Sequence, residues 1–245
     1  MARYQIILAY DGTDFVGSQR QAHSRTVQGE LETALGKIGW RGSSILLAGR
    51  TDTGVHASGQ VAAFDLEWGH GLDDLLCALN AGLPGDMAVR RARQAADDFH
   101  PRFDATSRRY RYRIFYDPAR DPLRERYAWR LWPPPDDLRP LARIWLGTHD
   151  FAAFGSPMKP GGSTRRTVLS AHWTGRGREW AFEVQADAFL YRMVRRLVFL
   201  QVAVGQGRLQ SEDLARALEK PARLLAGLAP ASGLTLTEVC YDNLA

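Results

Sequence analysis

The chain has 245 residues, of which 45% are hydrophobic and 24% are charged. This composition is typical of a folded globular protein and leaves room for one large or two smaller domains. No apolar run approaches the roughly 18 residues of a membrane-spanning helix, and the first residues form no secretory signal, so we expect a cytoplasmic protein without a membrane partner. The two cysteines, Cys77 and Cys240, lack metal-site spacing, and we expect both to be buried thiols.

Arginine carries nearly all of the positive charge. The net charge is +5, and of 32 basic residues only three are lysines, which leaves 29 arginines. A GC-rich genome would produce this bias without any functional cause. Guanidinium groups also bind phosphates and stack on bases, so a nucleic-acid partner is the functional alternative. The distribution of the arginines along the chain decides between the genome explanation and the nucleic-acid explanation.

The first 103 residues predict one set of alternating strands and helices. Apolar spacing predicts a helix over residues 27–38, with Thr26 as its N-cap. Strands are indicated where apolar residues alternate or run together between turn signals. The predicted elements of this half are a strand at 3–10, the helix at 27–38, strands at 45–48 and 60–64, a helix at 72–83 and a strand at 87–93.

The remaining residues predict a second set in a similar order. Its elements are a strand at 109–116, a helix at 136–146, strands at 168–173 and 180–185, helices at 193–204 and 212–218, and a strand at 234–241. Two such sets indicate an α+β protein built from two split βαβ units, each of the ferredoxin-like kind. We therefore predict two halves, residues 1–103 and 104–245.

The common cofactor and metal motifs are missing from the sequence. No phosphate-binding loop, zinc-binding helix motif or paired-cysteine motif occurs, and the six histidines are scattered. If the protein is an enzyme, we expect chemistry with no cofactor and no metal.

The segment from Arg102 to Arg113 contains five arginines, one acid and two tyrosines. On a strand, Tyr110 and Tyr112 would lie on one face and the interleaved arginines on the other. The tyrosines could stack on bases while arginines contact phosphates. The structural alternative is a half-buried strand with both tyrosines in the core. Two more arginine clusters, at 165–166 and 192–196, favour an RNA or DNA partner.

Residues 49–56, with the sequence GRTDTGVH, place an acid, a base and a histidine between glycines directly after an apolar run. A lone acid in such a turn is usually a capping residue, and His56 is better explained as structural. A catalytic triad of Asp52, His56 and Ser58 is unattractive, because residues so close in one loop do not align. If RNA lies over the loop, Asp52 can act as nucleophile or in proton transfer, and Arg50 can occupy the space of an extruded base.

Taken together, these motifs resemble the tRNA pseudouridine synthase A family over nearly the whole chain. Residues 49–56 resemble the family's catalytic motif. The other matching segments, in the family's order, are 10–17, 27–28, 79–84, 99–103, 109–112, 150–154, 188–195 and 232–234.

The resemblance implies isomerisation of uridine to pseudouridine at positions 38, 39 and 40 of the anticodon stem-loop of tRNA, without a cofactor. It implies that Asp52 is the catalytic carboxylate, that Tyr110 packs on the target base, and that Arg195 pairs with Asp52 and holds it ionised. Arg50 is similar to the arginine that replaces the flipped nucleotide. The resemblance further implies two ferredoxin-like halves whose mainly antiparallel sheets join, helices packed on them, and a homodimer.

The sequence departs from the family pattern at three positions. Ser18 stands where tryptophan is common, Phe199 where glycine is usual, and Thr53 where alanine is more common. None of the three removes a catalytic group. Two rival functions are a non-catalytic RNA-binding protein and a small-molecule hydrolase using Asp52 and His56; the hydrolase would leave the arginine clusters unexplained.

Overall fold

The structure is a computed structural model that describes residues 1–242. In chain order, the strands and helices are β1 (Ala2–Tyr10), α1 (Val27–Lys37), β2 (Leu46–Leu47), β3 (His56–Leu66), α2 (Leu72–Gly82), β4 (Met87–Gln94), β5 (Ala105–Tyr116), α3 (Pro122–Glu125), β6 (Trp129–Leu131), α4 (Arg139–Ala142), β7 (Gly147–Asp150), β8 (Arg165–Arg176), β9 (Glu179–Ala186), α5 (Met193–Gly205), α6 (Ser211–Glu219) and β10 (Leu234–Tyr241).

These residues form two compact units. Unit 1 contains Met1–Thr106 and the C-terminal segment that begins at Thr235, and unit 2 contains Ser107–Leu234. The predicted α+β class is confirmed. The division into halves at residues 1–103 and 104–245 stays a prediction. Most of β10 lies in unit 1.

The sheet of unit 1 is built on β1 as its central strand. β1 pairs antiparallel with β4 on one side and with β3 on the other, and β2 pairs antiparallel with β3. β10 also pairs with β3, in parallel, through Thr235 and Leu236. The order β4-β1-β3-β2 is that of a split βαβ unit, as predicted.

The helices of unit 1 begin where their capping residues predict. The Thr26 side chain accepts a hydrogen bond from the Gly29 N–H at 3.2 Å, so the predicted N-cap of α1 is confirmed. At the start of α2 the Asp74 carboxylate accepts from the Gly71 N–H at 3.1 Å. α1 and α2 contact each other, and α2 contacts β4.

The sheet of unit 2 has the order β5-β9-β8-β7, in antiparallel pairs, with β6 parallel to β5. α4 contacts β8, and α6 contacts both α5 and β7. α5 is buried on most of its surface, as its apolar sequence predicts. The helix predicted over residues 136–146 is shorter, because a proline is tolerated only in the first turn. Pro140 therefore sets the start of α4 at Arg139, and a 3-10 turn follows.

The expectation that both cysteines are buried is wrong. Cys77 is exposed and Cys240 is half-buried. α2 buries Leu75 and Leu79, and a residue two positions from each of them lies on the far side of the helix. Among the described residues, no helix is long and apolar enough to cross a membrane.

Candidate functional site

The loop that connects β2 to β3 carries Arg50 and Asp52, and it is attached to the sheet where it begins. The Ala48 N–H donates to the Val61 carbonyl at 2.9 Å. The amide of buried Gln60 donates to the Gly49 carbonyl at 2.8 Å. Because both partners lie on β3, the start of the loop has a fixed position on unit 1.

Thr51, the residue before Asp52, is held by Ser18 through both of its backbone groups. The Ser18 hydroxyl accepts from the Thr51 N–H at 2.8 Å, and the Ser18 N–H donates to the Thr51 carbonyl at 3.0 Å. Ser18 is completely buried and Thr51 is 7% exposed, so water does not replace these bonds. The two bonds fix the backbone that presents Asp52.

The Thr51 side chain is fixed as well. Its hydroxyl shares a hydrogen bond of 2.8 Å with the Tyr10 hydroxyl. Burial raises the pKa of Tyr10 above its ordinary value, and hydrogen bonds to Thr51 and Gln60 offset part of that rise. Tyr10 therefore stays a neutral phenol that can donate or accept at physiological pH.

Two glycines allow residues 12–18 to approach the loop closely. A Cβ at Gly12 would collide with the Val55 carbonyl. Gly17 has a φ of +77°, and a Cβ there would lie 3.0 Å from the Thr51 carbonyl oxygen. Only glycine can combine this positive φ with the close approach to the Thr51 carbonyl at position 17 without strain.

Arg25 follows residues 12–18 in the chain and attaches this part of the chain to the rest of unit 1. Its guanidinium donates to both carboxylate oxygens of Asp86, at 2.7 and 2.8 Å, and to Glu30 at 2.8 Å. It also lies 4.2 Å from the centre of the buried Phe15 ring. The hydrogen bonds from Arg25 hold the pKa of Asp86 below its usual range.

His56 has a structural environment, as the sequence indicates. It is 5% exposed, and its Nδ1 accepts a hydrogen bond from the Gly12 N–H at 3.0 Å. An Asp11 carboxylate oxygen lies 3.2 Å from the same nitrogen. The ring thus links residues 11–12 to the start of β3.

Asp52 and Arg50 both lie on the loop between β2 and β3, but their side chains differ in exposure. Asp52 is half-buried, and its backbone carbonyl accepts from the Val55 N–H at 3.1 Å. Arg50 is exposed and has no ion-pair partner within residues 1–242. Within the same range, no three metal-binding side chains of the His, Cys, Asp or Glu type are grouped to hold an ion.

In unit 2, the two tyrosines of β5 differ in exposure. Tyr112 is completely buried, and its hydroxyl donates to the Pro230 carbonyl at 2.8 Å. Burial raises the pKa of this phenol well above its ordinary value. Tyr110 is half-exposed and contacts Phe189 edge to face at 5.1 Å. The structural alternative for the tyrosines is therefore correct for Tyr112, whereas Tyr110 keeps an accessible ring.

Arg195 lies in the first turn of α5 and is tied to the segment that precedes β10. Its Nε donates to the Ala229 carbonyl at 2.8 Å, and the Ala229 N–H donates to the Arg195 carbonyl at 3.3 Å. Phe199, one of the departures from the family pattern, packs against Gly227, whose φ is +147°. The Phe199 ring occupies the space that any larger residue at 227 would need, so the two residues fit each other.

Sequence reasoning missed the residues that hold the loop. Ser18 was visible only as a departure from a pattern, and Tyr10 and Gln60 only as members of strands. Their roles depend on contacts between residues 33 to 50 positions apart along the chain. Paired glycines near an acidic loop were the only local signal of a close backbone approach.

Comparison with known proteins assigns the chain to a family. A family model described as tRNA pseudouridine synthase matches residues 6–104 and 141–242. A protein of Chloroflexus aurantiacus named tRNA pseudouridine synthase A is 44% identical over 257 residues, covering 98% of this chain and 89% of the relative. A protein of the same name from Limosilactobacillus fermentum is 40% identical, covering 99% and 97% of the two chains.

A third relative, from Halalkalibacterium halodurans and also named tRNA pseudouridine synthase A, is 39% identical and covers 96% of this chain and 90% of its own. The matched segments contain both the fixed loop of unit 1 and the Arg195 turn of unit 2. On this similarity over nearly its full length, the chain belongs to the tRNA pseudouridine synthase family, a family of isomerases.

Proposed function

We propose that this enzyme isomerises uridine to pseudouridine at positions 38, 39 and 40 of the anticodon stem-loop of tRNA, with Asp52 as its catalytic carboxylate. One observation carries the assignment of Asp52. Asp52 follows Thr51, whose backbone N–H, backbone carbonyl and hydroxyl are all bound by buried groups of unit 1. A carboxylate needed only as a turn cap would not require support of this kind.

The reaction conserves atoms and electrons. The bond between N1 of uracil and C1′ of ribose breaks, the base rotates, and a bond forms between C5 and C1′. The C5 proton is lost to solvent and N1 gains a proton, so no oxidant or reductant is needed. Asp52 acts on the sugar or base as a nucleophile, or removes a proton at C2′, and both roles use an ionised carboxylate.

A uridine stacked in an RNA stem cannot be reached, so it must leave the stack at a cost of a few kcal/mol. We assign Arg50 to the space that the base leaves, because its guanidinium is exposed and has no ion-pair partner in residues 1–242. The half-exposed Tyr110 ring stacks on the extruded base, and Arg195 keeps the carboxylate ionised. We also propose that the enzyme acts as a homodimer, which sedimentation would measure.

The structure weakens the hydrolase alternative. Its general base would be His56, but the Nδ1 of this ring accepts from the Gly12 N–H and the side chain is 5% exposed. A histidine enclosed in this way does not meet a substrate. A non-catalytic RNA-binding protein would gain little from a supported acid beside phosphates.

The experiment measures tritium release from anticodon stem-loop RNA labelled at uridine C5, with a single uridine placed at position 38, 39 or 40. We expect release with the wild-type enzyme and none with Asp52→Asn. Asp73→Asn, which changes an exposed aspartate of α2, is the matched control and should retain activity. Release by Asp52→Asn at the wild-type rate would remove Asp52 from the mechanism. No release by the wild-type enzyme would refute the proposal that anticodon stem-loop RNA is the substrate.

Arg50→Ala tests the second role. If the guanidinium replaces the flipped base, turnover should fall by more than the RNA affinity does, because the contact forms only after flipping. Arg41→Ala, an exposed arginine outside the loop, serves as the control. Equal losses of affinity and turnover would make Arg50 an ordinary phosphate contact.

A further inference from the structure

We propose that Arg192 is a positioning residue: its left-handed backbone, held by a bridge between Ser156 and Tyr191, places Arg195 for the reaction. All four residues lie in unit 2. The inference rests on the proposed function, which gives Arg195 the role of keeping the catalytic carboxylate ionised. It concerns the backbone of Arg192 and not its guanidinium.

The backbone of Arg192 has a conformation that residues with a side chain rarely adopt. Its φ is 62° and its ψ is 7°, and within residues 1–242 no other non-glycine residue has a positive φ. β-Branched residues tolerate this left-handed region least, whereas glycine, asparagine and aspartate adopt it more readily. Such a conformation persists only where the surrounding structure enforces it, and it is concentrated at functional sites.

The chain before Arg192 is fixed by the segment that follows β7. The Tyr191 N–H donates to the Ser156 carbonyl at 2.9 Å, and the Ser156 N–H donates to the Tyr191 carbonyl at 3.4 Å. Gly155 allows this approach, because a Cβ there would lie 2.7 Å from the Leu190 Cβ. Leu190 is 3% exposed, and close packing leaves it little room to move. The bridge therefore sets the position of the chain at Tyr191.

The chain after Arg192 is fixed by burial. Met193 is completely buried, and its N–H donates to the Leu190 carbonyl at 3.1 Å. α5 then continues as a largely buried helix. Because both neighbours are held, residue 192 has to turn the chain from the bridge into the helix. The Arg192 guanidinium lies 4.7 Å from the centre of the Tyr191 ring, and this contact offsets part of the strain.

Arg195 lies in the turn that Arg192 begins. The Arg192 carbonyl accepts from the Arg196 N–H at 3.0 Å, so Arg195 lies within the hydrogen-bonded turn that this bond closes. The Arg195 Nε donates to the Ala229 carbonyl at 2.8 Å. A residue that cannot be left-handed at 192 has to disrupt the bridge or this first turn. Because the bridge has two hydrogen bonds and a tight glycine contact, the first turn yields, and the backbone that carries Arg195 moves.

The test compares Arg192→Asn with Arg192→Val. Both remove the guanidinium, but asparagine tolerates a left-handed backbone and β-branched valine does not. Tritium release from anticodon stem-loop RNA is measured at saturating RNA, and KM is measured in parallel. We expect the saturating rate of Arg192→Val to be at least about 10-fold below that of Arg192→Asn, at similar KM. Equal saturating rates would overturn the proposal.

A double-mutant cycle measures whether residue 192 acts through Arg195. In an Arg195→Gln background, we expect the difference between Arg192→Val and Arg192→Asn to shrink to less than about 2-fold. An undiminished difference would overturn the proposal, because independent losses add. Arg195→Gln at the wild-type rate would refute the proposed role of Arg195 and this inference with it, whereas a slow Arg195→Gln with an undiminished difference refutes the inference alone.

Gly155→Ala is a second test that leaves residue 192 unchanged and decides the question if Arg192→Val does not fold. Its Cβ would press on Leu190 and displace the bridge, so we expect a saturating rate at least about 10-fold below wild type, with little further loss in the Arg195→Gln background. Gly69→Ala, at an exposed glycine whose new Cβ would have open space around it, is the matched control. Equal rates for the two alanine variants would overturn the proposal.

Discussion

Replacing Ser18 by alanine tests how far the loop that carries Arg50 and Asp52 depends on its hydrogen bonds to buried residues. The change removes one oxygen atom and leaves the Thr51 N–H without its acceptor at 2.8 Å, in a region where Ser18 is 0% and Thr51 7% exposed. A buried donor without a partner costs about 1–3 kcal/mol. The second bond, from the Ser18 N–H to the Thr51 carbonyl, is made by the backbone and survives.

We therefore expect Ser18→Ala to fold and to lose about 1–3 kcal/mol of unfolding free energy, measured by denaturant titration. For a chain of this size, the midpoint of thermal unfolding should fall by about 2–12 °C. If Thr51 shifts to find another acceptor, Asp52 moves with it, and a displacement near 1 Å can cost about 100-fold in rate. Turnover in the tritium-release assay should fall at least about 10-fold with little change in KM.

Ser58→Ala is the matched control, because Ser58 is an exposed serine on β3 of the same unit. It should leave both stability and turnover near the wild-type values. If Ser18→Ala behaved like this control in both assays, the hydroxyl would not position the loop. A loss of stability with unchanged turnover would refute the link between this support and catalysis.

Three further variants probe the same framework. Gly17→Ala should lower the unfolding free energy by about 1–3 kcal/mol in denaturant titrations, since φ is +77° and the new Cβ would lie 3.0 Å from the Thr51 carbonyl; wild-type stability would contradict this. Asp86→Asn tests pH dependence: Arg25 lowers the folded-state pKa of Asp86, so its stabilisation is present above about pH 4 and is lost as the pH falls through the folded value. The variant should be about 1 kcal/mol less stable than wild type at pH 7 and equal to it in stronger acid, and a difference independent of pH would exclude the ion pair. Tyr112→Phe should lose about 1 kcal/mol in the same titrations, because the carbonyl that accepts from its hydroxyl at 2.8 Å is left without it.

Local sequence signals predicted most of the elements, because they act through neighbouring residues. Alternating Tyr4, Ile6, Leu8 and Tyr10 predict β1, and these four side chains are the buried ones that period 2 places on one face. Thr26 predicts the start of α1 through a hydrogen bond that spans three residues. The helix over 136–146 was wrong in length because its apolar spacing outweighed Pro140, whose ring excludes all but the first turn.

The sequence by itself determined the α+β class, the order of most of the elements and the candidate loop with Arg50 and Asp52, but it did not indicate α3, β6 or β7. Residue type and spacing carry this information, because hydrophobic periodicity and turn chemistry act within a few residues. The tertiary structure alone decided that Ser18 holds Thr51, that Tyr112 is buried while Tyr110 is accessible, and that Phe199 fits Gly227. Each of these depends on a contact between distant parts of the chain, and no local pattern specifies which buried polar group meets which partner.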